Sequence, residues 1–161
     1  MRLTRYTDYA LRVLLYLGTH PDRLSTISEI AAFHGISRNH LMKVVHQLGS
    51  LGYIDTLRGK GGGIRLALRP GDIIIGHVVR HTEENLDIVE CFSPGNSDCV
   101  IQPGCRLKTA LGEALNSFLA TLDLYTLADF LGEYPPPPAR ASNGPPLPRR
   151  GEPTASRQGN W

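Results

Sequence analysis

One stretch constrains the fold more than any other: residues 25–68, STISEIAAFHGISRNHLMKVVHQLGSLGYIDTLRGKGGGIRLAL. Thr26 and Glu29 form a T-x-x-E capping box, in which the hydroxyl caps a helix start and the carboxylate reaches back. Gly35 closes that helix as a left-handed C-cap, and Ser37 caps the next one at once. In this second helix Leu41, Val44, Val45, Leu48 and Leu51 recur at helical spacing and form a buried side. Arg38, Asn39, His40, Lys43 and Gln47 fall opposite. Two short extended runs follow, YIDTL and GIRLAL, joined by RGKGG, whose glycines supply the positive φ angles a tight hairpin needs. Capped helix, short glycine turn, second amphipathic helix and hairpin make a helix-turn-helix with a wing.

The flanks extend this unit. Leu3, Tyr6, Ala10, Val13, Leu14 and Leu17 make one stripe of a first helix over about Thr4–Thr19, broken by Pro21. A short helix is expected over Ile74–Thr82 and a long one from about Arg106 to Leu131. The stripe of the long helix (Leu107, Leu111, Ala114, Leu115, Phe118, Leu119, Leu122) is wide enough to suggest dimerisation, the alternative being that it packs on its own domain. Eight of the twelve prolines lie between Pro135 and Pro153, so little apolar surface offsets the entropy of ordering residues 135–161. The expected class is mainly α with a small β-hairpin wing. It divides into a winged helix-turn-helix over 1–70, a cysteine loop and dimerisation helix over 71–134, and a disordered proline-rich tail over 135–161.

Charge divides along the same lines. Residues 1–70 carry ten Lys and Arg against four Asp and Glu, and residues 71–134 carry three against ten. A basic half beside an acidic one fits a nucleic-acid reader with a separate regulatory segment. A helix-turn-helix puts the start of its second helix in the major groove, which nominates Ser37, Arg38, Asn39 and His40, with Lys43 one turn on, to face double-stranded DNA. Arg suits the O6/N7 pair of guanine and Asn the N6/N7 pair of adenine. Arg58, Lys60 and Arg65 on the wing suit phosphate or minor-groove contact. The competing reading is a solvated polar face on a protein-interaction winged helix.

All three cysteines, Cys91, Cys99 and Cys105, lie in ECFSPGNSDCVIQPGC. The N-terminus superficially resembles a signal peptide, but Asp8 and Arg12 interrupt its apolar run and no small-residue cleavage site follows. No stretch approaches the apolar length of a membrane span. A cytoplasmic chain keeps its thiols reduced, which suggests metal or redox chemistry rather than bridges. The spacing lacks a C-x-x-C pair, which disfavours zinc. Wide spacing with Pro94, Gly95, Pro103 and Gly104 suits a loop wrapped around a larger object such as an iron–sulfur cluster. Three unrelated thiols are the bland alternative. No acid or orienting group completes a catalytic site with His77 or His81, so an enzyme is not expected.

TDYALRVLLYL, ISEIAAFHGISRNHLMKVVHQLGSLGYI, RGKGGGIRLA, the cysteine loop and FLATLDLYTLADFL together resemble the winged-helix iron–sulfur regulators, the family that includes IscR. SRNHLMKVV with CVIQPGCRLKTAL is most similar to its nitric-oxide-sensing repressors. The resemblance covers residues 1–131 and leaves the tail unmatched. It implies a homodimeric repressor holding an iron–sulfur cluster, 4Fe-4S in preference to 2Fe-2S, on Cys91, Cys99 and Cys105. Nitric oxide would attack the cluster and release operator DNA. IscR-type proteins carry a histidine ligand three positions after the last cysteine; here Lys108 stands there, an ammonium that cannot ligate while charged. In the nitric-oxide-sensing branch the fourth ligand is an aspartate of the first helix of the other subunit, which corresponds to Asp8. The residues alone make Asp8 and Arg12 an ordinary i,i+4 ion pair. Two other functions remain open: a cluster regulator sensing iron or redox state, and a thiol or zinc scaffold binding a protein partner.

Overall fold

The computed structural model describes residues 2–133 other than 94, 96–98 and 102–103. The expectation of a disordered tail over 135–161 lies outside the described residues. The first helix, α1 (Arg5–Gly18), starts at Thr4, whose side chain accepts from the Thr7 amide. α2 (Ile27–His34) carries the complete Thr26–Glu29 capping box and ends on Gly35 at φ 64°. Ser37 caps α3 (Arg38–Ser50) by accepting from the His40 amide. The hairpin pairs β1 (Ile54–Leu57) with β2 (Gly63–Leu66), with Asp55 opposite Arg65. Its tip turns on Gly59 and Gly61, both at positive φ. The wing is seated by a third backbone segment: the Ser25 amide donates to the Ile64 carbonyl at 3.0 Å, and the Ile64 amide to the Ser25 carbonyl at 2.8 Å.

α4 (Ile75–Thr82) follows the wing, and α5 (Arg106–Asp123) follows the cysteine loop. One core joins all of this. Val13, Leu14, Ile30, Leu41, Leu48 and Ile64 of the winged unit pack with Ile73, Val78 and Leu127 from beyond residue 70. A fully buried side chain of this size contributes about 1.5–3 kcal/mol.

The long helix is shorter than its apolar pattern predicts. It stops at Asp123 rather than Leu131, and the chain crosses Leu124–Thr126 as a short strap, a turn at Leu124 followed by a single bridge at Thr126, before a 3-10 helix over Leu127–Glu133. Backbone pairing causes the break. The Ile75 amide donates to the Tyr125 carbonyl at 3.0 Å and the Leu127 amide to the Ile73 carbonyl at 2.8 Å. Asp129 then accepts from the Thr126 amide and hydroxyl, capping the new turn. No helix among the described residues is long and apolar enough to cross a membrane.

Candidate functional site

The start of α3 is open to solvent. Ser37, Arg38, Asn39, His40 and Lys43 are all exposed, as the helical period requires once Leu41, Val44, Val45 and Leu48 face inward. The Ser37 hydroxyl is committed to its capping bond. α1 supports this end of α3 from behind: Tyr6 Oη donates to the Lys43 carbonyl at 3.2 Å, and the Tyr9 ring lies 6.4 Å from that of His40. Two residues behave differently from the sequence reading. Gln47, placed on the polar face, donates to the His81 carbonyl at 3.1 Å and so belongs to the α3–α4 junction. His46, which the reading passed over, is exposed. It sits three residues beyond Lys43 and seven beyond Asn39, a period that could have found it.

On the wing, Arg58 and Lys60 occupy the exposed turn between β1 and β2. Arg65 instead faces Asp55 across the strand pair, with Nη2 3.6 Å from Oδ2 and both side chains about half exposed. Such a pair adds little stability. It does offset the arginine's charge on this face of the wing.

The three thiols sit between α4 and α5. Cys91 is half-buried in a 3-10 turn over Glu90–Phe92, Cys99 is exposed, and Cys105 is half-buried at the N-cap of α5 with no capping bond from its side chain. All three are free thiols. Gly95 and Gly104 take φ values of 88° and 82°, which lets the loop fold sharply beside Cys91 and Cys105. Among the described residues no three His, Cys, Asp or Glu side chains gather into a metal-holding group. The donor chemistry fits an iron–sulfur cluster, since unbridged thiols are its usual ligands. Among the described residues a complete ligand set is not assembled.

Asp8 lies on α1 with its side chain 46% exposed, accepting from Arg12 Nε at 2.9 Å. His34 lies near this pair. Burial holds its pKa below the usual histidine value, with the Arg12 charge acting in the same direction. Lys108 is in the first turn of α5, half-buried.

Comparison with known proteins places these features. The family model for Rrf2, described as an iron-dependent transcriptional regulator, matches residues 3–133. The HTH-type transcriptional regulator NsrR of Geobacillus kaustophilus (strain HTA426) is 59% identical over 132 residues, covering 81% of this chain and 90% of that protein. Its namesake in Bacillus subtilis (strain 168) is 56% identical over the same length and the same shares. Among solved structures, T. potens IscR aligns with a TM-score of 0.66 at 25% identity, over 83% of this chain and 88% of its own. CymR (YrzC), the global cysteine regulator of B. subtilis, shares the fold at a TM-score of 0.69 and 22% identity, over 84% and 99%.

Proposed function

The chain belongs to the Rrf2 family of transcriptional regulators, and on that footing we propose that it is a homodimeric DNA-binding repressor that responds to nitric oxide through an iron–sulfur cluster. One observation carries the reading. An exposed polar face at the start of α3 and three unbridged thiols within residues 91–105 occur in one chain whose relatives are named NsrR.

Residues 1–70 do the reading. Arg38 and Asn39 meet base edges, Ser37, His40 and Lys43 flank them, and Arg58, Lys60 and Arg65 contact the backbone. Residues 71–134 regulate and dimerise. In one protomer α5 covers its apolar stripe only in part: Leu119 is buried, Leu111, Leu115, Phe118 and Leu122 are half-buried, and Leu107 is 64% exposed. A second copy on that stripe would bury it, and a two-fold pair presents two α3 helices about one DNA turn apart, ~34–36 Å.

Cys91, Cys99 and Cys105 hold the cluster, with Asp8 of the partner subunit as fourth ligand. When bound, such a cluster supplies iron with affinity for nitric oxide. The chain's own contribution is a donor set of three soft thiolates and one harder carboxylate, which is the weaker ligand for such iron. Cys91, Cys99 and Cys105 would thereby tie residues 91–105 to α1 of the partner, and weakening that tie would loosen the dimer geometry on which DNA binding depends.

The experiment is an anaerobic purification followed by absorption and DNA binding, before and after a nitric oxide donor. The duplex is one selected by the protein from a random-sequence library. Brown protein that loses colour and DNA affinity together is expected. Colourless dimers with full affinity, indifferent to nitric oxide, would sink the proposal. Asp8→Ala should shorten the lifetime of the brown form; an unchanged lifetime returns Asp8 to its role as partner of Arg12.

A further inference from the structure

His81, Thr82 and Glu83, the three consecutive residues where α4 ends, each reach a different part of the molecule. The His81 carbonyl accepts from Gln47 Nε2 of α3 at 3.1 Å. It is one of the carbonyls that a helix C-terminus leaves without an internal partner. The His81 ring places Nδ1 2.9 Å from the hydroxyl of Tyr53, a buried residue between α3 and β1. The buried Thr82 hydroxyl lies 3.0 Å from the Thr7 hydroxyl as donor, and Thr7 in turn donates to Glu83 Oε1 at 2.5 Å. That same carboxylate oxygen accepts from the Thr4 amide at 2.8 Å and the Thr4 hydroxyl at 3.1 Å. A carboxylate at a helix N-terminus is favoured by the helix dipole, and its hydrogen bonds are of the stronger, charge-assisted kind.

We propose that residues 81–83 form a joint that sets the pose of α3 and of the first turn of α1 relative to the start of the thiol segment. In this joint Gln47 is a positioning residue rather than a reader of DNA. The placement supports this on both sides. Glu83 is the first residue beyond α4 on the way to Cys91, and Thr7 is the immediate neighbour of Asp8. A displacement of the proposed ligand set therefore enters the joint one residue from Asp8 or eight residues from Cys91. From there it has a side-chain path to α3 through Gln47 and to the root of the wing through Tyr53. What the joint would report rests on the proposed cluster function; that the joint couples these elements does not.

The test is a double-mutant cycle read by amide hydrogen exchange on the full chain, using Glu83→Ala, Gln47→Met and both together. With the joint present, Glu83→Ala speeds exchange of the α3 amides over residues 44–48 by about threefold or more, and adding it to Gln47→Met produces no further rise. Gln47→Lys, which keeps a donor on a long side chain, restores the wild-type pattern. Gln47→Met also leaves the salt dependence of DNA binding unchanged, since no phosphate contact is lost. The joint is overturned if Glu83→Ala accelerates only the first turn of α1, or if the two changes add independently. Should Glu83→Ala loosen the whole core, including Ile30 and Ala31 of α2, the milder Glu83→Gln decides by the same criteria. The cycle needs neither iron nor DNA, so it can fail while the nitric oxide response of the wild type stands, and the reverse.

Discussion

Gly63→Ala is expected to unseat the wing, and two opposing effects decide how far. Gly63 is not among the positive-φ glycines, so its backbone does not demand glycine. On that ground alone, alanine would stabilise by about 0.4–1 kcal/mol through the unfolded chain. Space argues the other way. A Cβ at this position would lie 2.8 Å from the Ser25 carbonyl oxygen and 3.0 Å from the Leu24 Cβ. That carbonyl cannot swing aside without losing its bond from the Ile64 amide, half of the pair that seats the wing. Two backbone bonds are at stake, at about 0.5–1.5 kcal/mol each. Part of the burial of Ile64, now 1% exposed, goes with them, from a total of about 1.5–3 kcal/mol. The net is a loss of about 2 kcal/mol, a fall in Tm of about 4–8 °C for a chain of this size. Circular dichroism melts of Gly63→Ala beside Gly71→Ala make the comparison, because a Cβ at Gly71 meets nothing within 4 Å. DNA affinity should fall for the first variant only, since Arg58 and Lys60 ride on the wing. A Gly63→Ala protein that melts at or above wild type would show the steric argument to be mistaken.

Three other outcomes are expected. Arg58→Ala and Lys60→Ala should each flatten the slope of log affinity against log salt by about 0.9, and Arg65→Ala by clearly less, because Asp55 already faces that guanidinium; equal slopes for all three would remove any role for the pair. Ser25→Ala should raise the urea midpoint, since the Ser25 hydroxyl is buried with no hydrogen-bond partner among the described residues and such a group costs about 1–3 kcal/mol. A lowered midpoint would mean that the hydroxyl does have a partner in solution. Glu29 is held below the usual carboxylate range, first by its hydrogen bonds from Arg23 and then by the Thr26 amide, against the opposing effect of burial. Its folded value lies below the unfolded one, so its stabilisation is complete above the ordinary carboxylate range and is lost as pH falls through the lowered value. Glu29→Gln should therefore flatten the acid side of the Tm–pH profile, and an unaltered acid limb would count against the Arg23 pairing.

What the sequence discloses here depends on how local the cause is. The Thr26 box, the left-handed Gly35 and the Ser37 cap involve partners within four residues, and each appears in the structure where the letters put it. The end of α5 was not legible, because LYTLADFL carries a helical pattern and its interruption comes from backbone partners at Ile73 and Ile75, some fifty residues away. A separation of 34 residues likewise hides the bond of Gln47 to His81, since its polarity reads as surface until α4 is brought alongside. Arg65 reads as basic wing until the strand register sets Asp55 opposite. The thiols show the limit in another form: their number and spacing are plain, but among the described residues no group of three metal-binding side chains forms around them.

The strap over Leu124–Thr126 has a consequence for how such regulators diversify. Because it pairs with Ile73 and Ile75, the core is closed at both ends of the segment that carries the thiols. The segment from residue 84 to residue 105 thus runs between fixed points, the Glu83 joint and the start of α5. The entropy of closing such an excursion changes by only about 0.6 kcal/mol when its length doubles. Insertions, deletions or a different set of donor residues there leave the DNA-reading unit almost untouched in stability. On the proposed function, the chain would be a chassis with an exchangeable sensor cartridge, and selection would be free to alter what is sensed without rebuilding what is read.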